Sequence, residues 1–144
     1  MYTKRGFTLI ELLVVIAIIG ILTAIVFANI QNSRAKTKDV SAMASISSIR
    51  SVAELFHGNH NTYAVDGTTN MCTDSDILKL ENAAKDQTGN NAVCDYDAVD
   101  PVGQGYHVYI MLNNGSYFCL DSGGFAGAIA TTPGSGQFCD GTSY

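Results

Sequence analysis

Glu11 is a carboxylate placed where carboxylates are rare, within a long run of apolar side chains. The run covers residues 7–30 of a 144-residue chain, and its other non-apolar positions are Thr8, Gly20, Thr23 and Asn29. As a helix it would span about 36 Å, which is enough to cross a bilayer. A charge at the membrane centre costs roughly 3 kcal/mol, so Glu11 needs either an oppositely charged partner or access to the lipid headgroups.

Three interpretations fit this N-terminal run. A secretory signal needs a shorter apolar core and a small-residue cleavage site, which Val26 and Ala28 would supply only loosely. A plain single-span anchor explains the length and lets Glu11 extend towards the headgroups. A third possibility is a leader that is cleaved before the run. In the last two cases Lys4 and Arg5 hold the N-terminus in the cytoplasm and direct the rest outward.

The residues around Glu11 carry a resemblance to a known family. The segment KRGFTLIE at residues 4–11, followed by an aliphatic stretch to about residue 30, resembles the cleavage and methylation signature of type IV pilins and pseudopilins. The resemblance implies that a prepilin peptidase cleaves between Gly6 and Phe7, and that the new amino group of Phe7 is methylated. It departs from many of these proteins at Ala28, where they have a proline.

The resemblance also supplies a partner for Glu11. Among parallel apolar helices, an unpaired carboxylate is costly, whereas one that faces the Phe7 ammonium of a neighbouring subunit is neutralised. Glu11 would then fix the axial register, as a buried polar residue does in a coiled coil. The implied partners are other copies of the chain, the prepilin peptidase, the pilus or secretion assembly machinery, and the membrane. The implied location is the inner membrane, followed by an extracellular or periplasmic filament.

The fold class expected is α+β, with a long N-terminal helix packed against a small antiparallel sheet. The segments expected are a leader at 1–6, a transmembrane and assembly helix at 7–30, an amphipathic continuation at 31–57 and an extracytoplasmic head at 58–144. The continuation is predicted because its apolar positions recur at helical spacing. These positions are Ala42, Ile46, Ile49, Ala53 and Phe56. Gly58 would end the helix in a left-handed cap.

The head contains signals for a second helix and for strands. Thr73 and Asp76 stand at capping-box spacing before a helix over about 75–85. Residues 106–112 and 116–120 predict a hairpin around an Asn-Gly turn. Residues 126–131 predict a third strand, and residues 86–100 are expected to form a loop.

Four cysteines lie in the head: Cys72, Cys94, Cys119 and Cys139. An even number behind a membrane signal indicates two disulfides on the oxidising side. Three pairings are possible, and Cys72 with Cys94 and Cys119 with Cys139 is favoured because each pair closes a local loop. Zinc is the alternative, but no two cysteines stand two to four residues apart.

The charge of the chain argues against nucleic-acid binding. The net charge is −5, and beyond His57 two lysines stand against ten acidic residues. No cluster of bases is present to neutralise phosphates. Arg34, Lys36 and Lys38 follow the apolar run and form either a solvated collar or a patch that contacts lipid.

No residue pattern in the chain predicts an enzyme. His57, His60 and His107 lack a neighbouring nucleophile motif and are expected at the surface or at helix ends. Asp95, Asp97 and Asp100 resemble a calcium loop, but the required glycine is absent and Tyr106 stands at the position of the bidentate glutamate. The sequence therefore predicts no catalytic residue, metal or cofactor. Calcium is kept as the alternative because some pseudopilins bind it near the sheet.

These features predict a filament subunit that polymerises through its N-terminal helix. The first interpretation is a type IV pilus subunit. The alternative is the major pseudopilin of a type II secretion or competence system. A third interpretation, from a different class, is a small disulfide-rich binding domain that is secreted after ordinary signal cleavage.

Overall fold

The fold is α+β, as predicted. A computed structural model describes residues 6–97 and 103–142, excluding the side chains of residues 28 and 29. In chain order the elements are α1 (Leu9–His60), a 3₁₀ helix (Met71–Thr73), α2 (Ser75–Thr88), β1 (Val93–Tyr96), β2 (Tyr106–Met111), β3 (Tyr117–Asp121) and β4 (Ala126–Ile129). The chain divides into two compact units, Met1–Ala35 and Lys36–Tyr144. The segment boundaries predicted from the sequence stay predictions.

The larger unit contains a four-stranded antiparallel sheet in the order β1-β2-β3-β4. Alternate side chains of β2 point to opposite faces, so Tyr106, Val108 and Ile110 share one face and are fully buried. They join a single apolar cluster with the helical positions predicted for the core. Those positions are Ala42, Ile46, Ile49, Ala53 and Phe56, of which Phe56, at 8%, is the most exposed.

Helix α1 continues past the predicted glycine cap. Gly58 lies inside the helix, which ends at His60. Asn61 adopts the left-handed conformation (φ 58°), and its N–H donates to the His57 carbonyl at 2.6 Å. Asparagine tolerates this conformation better than most residues because its short polar side chain bonds locally. The helix therefore ends three residues beyond the predicted boundary at residue 57.

The cap of α2 also differs from the prediction. Asp74 is the N-cap, and its carboxylate accepts hydrogen bonds from the N–H groups of Asp76 and Ile77 at 2.8 and 3.4 Å. Thr73 instead closes the preceding 3₁₀ helix, where it forms a capping box with Asn70. The helix continues three residues beyond Lys85 to Thr88, because Gly89 provides the left-handed cap there (φ 77°).

The sheet has one strand more than the sequence predicts. The predicted hairpin is present as β2 and β3, and the predicted third strand is β4. Strand β1 lies in the region expected to be a loop, and it pairs with β2 through Cys94 opposite Val108. The disulfide between Cys72 and Cys94 links this strand to the 3₁₀ helix. A strand of only four residues, held partly by a disulfide, is too short to show a clear alternation of apolar and polar side chains in the sequence.

The hairpin turn between β2 and β3 is fixed by a buried aspartate of α1. Asp39 of α1 is only 6% exposed. Its Oδ1 accepts hydrogen bonds from the backbone N–H and the Nδ2 of Asn113, both at 2.7 Å. The Nδ2 group of Asn113 also donates to the Gln87 carbonyl at 3.3 Å. One buried carboxylate therefore connects the turn to α1, and through Asn113 to the end of α2.

Glu81 is a carboxylate on the core side of α2, between the buried residues Ile77 and Ala84. Its Oε1 atom is buried and accepts no hydrogen bond from the described residues. Burial raises the pKa of Glu81 to about 6. Since an acid with a raised pKa binds its proton more tightly in the folded state, its ionisation destabilises the fold as the pH rises through this range.

Replacing Glu81 by glutamine is expected to stabilise the head by about 1 kcal/mol at neutral pH, after allowance for partial exposure. The gain should be present above about pH 6 and should disappear below about pH 4.5, where the glutamate is itself neutral. Thermal unfolding of the full chain in detergent, followed by circular dichroism at both pH values, measures it.

Asp86→Asn is the matched control for the Glu81 variant. It removes one negative charge from an exposed position of the same helix. An equal gain in this control would show that net charge rather than burial determines the effect. A Glu81→Gln gain that does not change with pH would show that ionisation of Glu81 does not cause it.

Candidate assembly site

The first part of α1 has an apolar surface that is exposed among the described residues. The large apolar side chains of residues 7–27 are between 45% and 81% exposed. The helix is long and apolar enough to cross a membrane, judged by length and composition, and its most apolar stretch is 0% buried. A helix that is apolar all round is stable only when lipid or other apolar helices surround it.

Glu11 is held at the start of this helix by a capping box. Thr8 is the residue before α1, and the Glu11 Oε2 atom accepts hydrogen bonds from the Thr8 backbone N–H at 2.8 Å and from its hydroxyl at 2.6 Å. In return the Glu11 N–H donates to Thr8 Oγ1 at 3.3 Å. This reciprocal pair satisfies donors that a helix N-terminus leaves unpaired.

The capping box changes the expectation that Glu11 lacks a partner in a single chain. One carboxylate oxygen is already engaged within the chain, whereas Oε1 accepts no hydrogen bond from the described residues. The cap therefore orients the carboxylate and leaves one oxygen available. The Thr8-x-x-Glu11 spacing was the sequence signal for this arrangement. The long apolar run that follows Glu11 makes this spacing hard to recognise as a helix cap.

The predicted processing residues lie immediately before the cap. Phe7 is 78% exposed, and a Cβ atom added at Gly6 would meet nothing within 4 Å. Gly6 also lacks a positive φ angle. The described fold therefore does not itself require a glycine at this position. Lys4 and Arg5 lie outside the described residues.

The four cysteines form two disulfides in the head. They pair Cys72 with Cys94 and Cys119 with Cys139, which is the pairing favoured by loop closure. The second disulfide closes the C-terminal segment onto β3, where Cys119 is fully buried. The basic positions Arg34, Lys36 and Lys38 are all exposed.

Of the three aspartates considered for calcium, the structure describes Asp95 and Asp97. Asp95 Oδ2 accepts a hydrogen bond from the Gly136 N–H at 3.2 Å, and Asp97 is bonded through its backbone to Gly103 and Gly105. Asp100 lies outside the described residues. Within residues 6–97 and 103–142, no group of three or more His, Cys, Asp or Glu side chains is arranged to hold a metal ion.

The apolar helix, the capped glutamate at its start and the disulfide-closed antiparallel sheet give the chain a pilin-like α+β architecture. Residues 1–27 match the family model described as the prokaryotic N-terminal methylation motif. The resemblance to type IV pilins and pseudopilins that the sequence indicated is therefore confirmed.

Relatives of both kinds are found among characterised proteins. The chain is 35% identical over 95 residues to a fimbrial protein of Pseudomonas aeruginosa, which covers 65% of this chain and 60% of that protein. It is 36% identical over 62 residues to type II secretion system core protein G of Pectobacterium carotovorum subsp. carotovorum (43% of this chain, 40% of the relative). It is 38% identical over 63 residues to the type IV wide pilus major component of Thermus thermophilus (44% and 48%).

These matches are partial. The chain spans about 60% of the length of the fimbrial proteins it matches. No solved structure matches the chain significantly.

Proposed function

We propose that this protein is the structural subunit of a type IV pilus or a pilus-like filament. The observation that carries the proposal is the exposed apolar start of α1, with Glu11 oriented at its first turn. A membrane stores such a helix before assembly, and a bundle of identical helices covers it afterwards. In lipid the hydrophobic effect gives little preference for one helix partner over another, so packing and polar pairing select it.

Pairing between Glu11 and the Phe7 amino group of a neighbour gives that selection. Cleavage after Gly6 would leave a positively charged amino group on Phe7 of every subunit. The Glu11 Oε1 atom of one subunit would accept a hydrogen bond from the Phe7 amino group of its neighbour. The charge pair forms only when two helices are in the correct axial register. We infer that the protein needs no catalytic residue and no cofactor for this function, and that the prepilin peptidase and an assembly machinery act on it.

A second candidate is the major pseudopilin of a type II secretion system, which the similarity to core protein G favours. Both candidates share the same subunit chemistry. They differ in where the filament is found. The location we propose is the inner membrane with the N-terminus cytoplasmic, followed by an extracellular filament for a pilus or a periplasmic filament for a pseudopilus.

The mature N-terminus tests the proposed function. Mass spectrometry of the protein from cell membranes and from sheared surface fibres should show a chain that begins at N-methylated Phe7. A mature chain that begins near Asn29 would instead indicate ordinary signal cleavage and a secreted binding domain. That result would contradict both filament candidates.

A further inference from the structure

The outer face of the sheet carries a row of three polar side chains across three strands. The strand register places Asp95 of β1 opposite His107 of β2, and His107 opposite Asp121 of β3. His107 and Asp121 are each 1% exposed, although they lie on the face away from the apolar core. The expectation that His107 lies at the surface was therefore wrong. Another segment must cover this row.

The covering segment is the stretch 134–139, here called the strap, which ends at Cys139. Each member of the polar row binds the backbone of the strap. Asp95 accepts from the Gly136 N–H at 3.2 Å, and Asp121 Oδ2 accepts from the Cys139 N–H at 2.9 Å. Between them, His107 makes a hydrogen bond with the backbone of Gln137. Three strands thus hold three nearly consecutive strap residues.

The strap is also connected to the neighbouring turn and to the disulfide. Asp121 Oδ1 accepts from the Phe125 N–H at 2.9 Å, so one carboxylate links the β3–β4 turn to the strap. The disulfide between Cys119 and Cys139 fixes one end of the strap to β3, with both residues buried. Opening the strap would therefore expose this disulfide together with the polar row.

We propose that the strap is a proton-operated latch, closed over the sheet at neutral pH and released when His107 takes up a proton. The charged groups that act on His107 are Asp95 of β1 and Asp121 of β3, and the strap contributes the Gln137 backbone. The Tyr109 ring, from the same strand as His107, stacks on the imidazole with the ring centroids 5.8 Å apart. The closed strap excludes water from the His107 imidazole, and opening the strap would hydrate the imidazole again. A proton is accommodated better in the open state.

The direction of the pH dependence follows from burial. Burial lowers the pKa of His107 below its ordinary value, and the nearby carboxylates and the Gln137 backbone offset this only in part. A histidine with a lowered pKa stabilises the closed state above the ordinary value of about 6.5, and this contribution is lost as the pH falls through that value. Histidine is the side chain that ordinarily titrates in this window.

Disulfide reduction tests the latch, using full-length protein in detergent micelles. A phosphine reductant, tris(2-carboxyethyl)phosphine, is suitable because it does not depend on a thiolate, whose fraction falls in acid. The released thiols are alkylated and assigned by peptide mass spectrometry. The disulfide between Cys72 and Cys94 lies outside the strap and serves as the internal reference. The measured quantity is the reduction rate of the Cys119–Cys139 disulfide divided by that of the reference.

Between about pH 7.5 and about pH 5.5 this ratio is expected to rise about threefold or more. His107→Gln, which cannot take up the proton, should give a ratio that does not change with pH. His60→Gln removes an exposed histidine and should keep the rise. A flat ratio in the unaltered chain, or an equal rise in His107→Gln, would overturn the latch.

Hydrogen exchange provides a second test that needs no variant. After correction for intrinsic exchange, the Gly136 and Cys139 amides should lose protection in acid relative to the Ile110 amide in β2. Unchanged relative protection at the two pH values would overturn the proposal even if His107→Gln failed to fold. Neither measurement depends on filament assembly, so the latch can fail while the proposed function stands.

Discussion

Glu11→Gln is expected to abolish most filament formation while leaving membrane insertion and cleavage intact. Glutamine keeps an oxygen that can accept from Thr8, so the cap survives, but the charge is lost. Each subunit would then bury an ammonium group without its counter-ion, at a cost of about 3 kcal/mol. That corresponds to about two orders of magnitude in the affinity of subunit addition. Quantifying sheared filaments against the total mature subunit measures the loss.

Thr8→Ala is the matched control because it removes the hydroxyl of the capping box and keeps the carboxylate. The expected cost is about 1 kcal/mol of local helix stability, with filaments still present. If Thr8→Ala lost filaments as completely as Glu11→Gln, the carboxylate would act mainly as a helix cap. Normal filament yield from Glu11→Gln would remove the charge-pairing account altogether.

Replacing Gly6 by valine is expected to eliminate the mature form. An added Cβ atom at this position meets no described residue within 4 Å, so the fold itself should tolerate the change. We expect the block to arise at the proposed prepilin peptidase, because its site should need a residue without a side chain before the cleaved bond. The uncleaved protein should keep residues 1–6, stay in the membrane and form no filaments. Intact mass and gel mobility of the membrane fraction distinguish precursor from mature chain.

Gly20→Ala is the control for the Gly6 variant. Gly20 also has open space around an added Cβ atom, but it lies inside α1, away from the cleaved bond. It should be processed normally. Efficient cleavage of Gly6→Val would show that the resemblance at residues 4–11 does not extend to processing.

The parts of the fold that could be predicted depend on local periodicity. The core face of α1 from Ala42 to Phe56 repeats at helical spacing, and the Asn-Gly turn between β2 and β3 is a short-range signal. Loop closure favoured the two disulfides that the structure contains. In each case the residues that determine the structure lie close together in the sequence.

The parts that were missed depend on distant contacts. Asp39 and Asn113 are 74 residues apart, and nothing in the sequence near Asp39 distinguishes it from a solvated aspartate. The polar row of the sheet needed β1, which was expected to be a loop, and its burial needed the strap. Buried polar residues are satisfied by whichever backbone groups the tertiary fold brings to them. Sequence patterns do not specify those partners.

For the candidate assembly site the sequence indicated the residues but not their geometry. Gly6, Phe7 and Glu11 were singled out by the resemblance, and the bond between Thr8 and Glu11 was not. That hydrogen bond matters because it partly satisfies the Glu11 carboxylate at the start of the helix when no neighbouring subunit is present. In the proposed assembly, the glutamate would be partly satisfied beforehand and would have one oxygen left for a neighbour.

The most direct test of the charge-pairing account is a filament structure at a resolution that shows side chains. It should place a carboxylate oxygen of Glu11 about 2.8 Å from the methylated amino group of Phe7 in an adjacent subunit, the distance of a charge-assisted hydrogen bond. Filaments in which Glu11 contacts only its own Thr8, with the neighbouring amino group elsewhere, would contradict it.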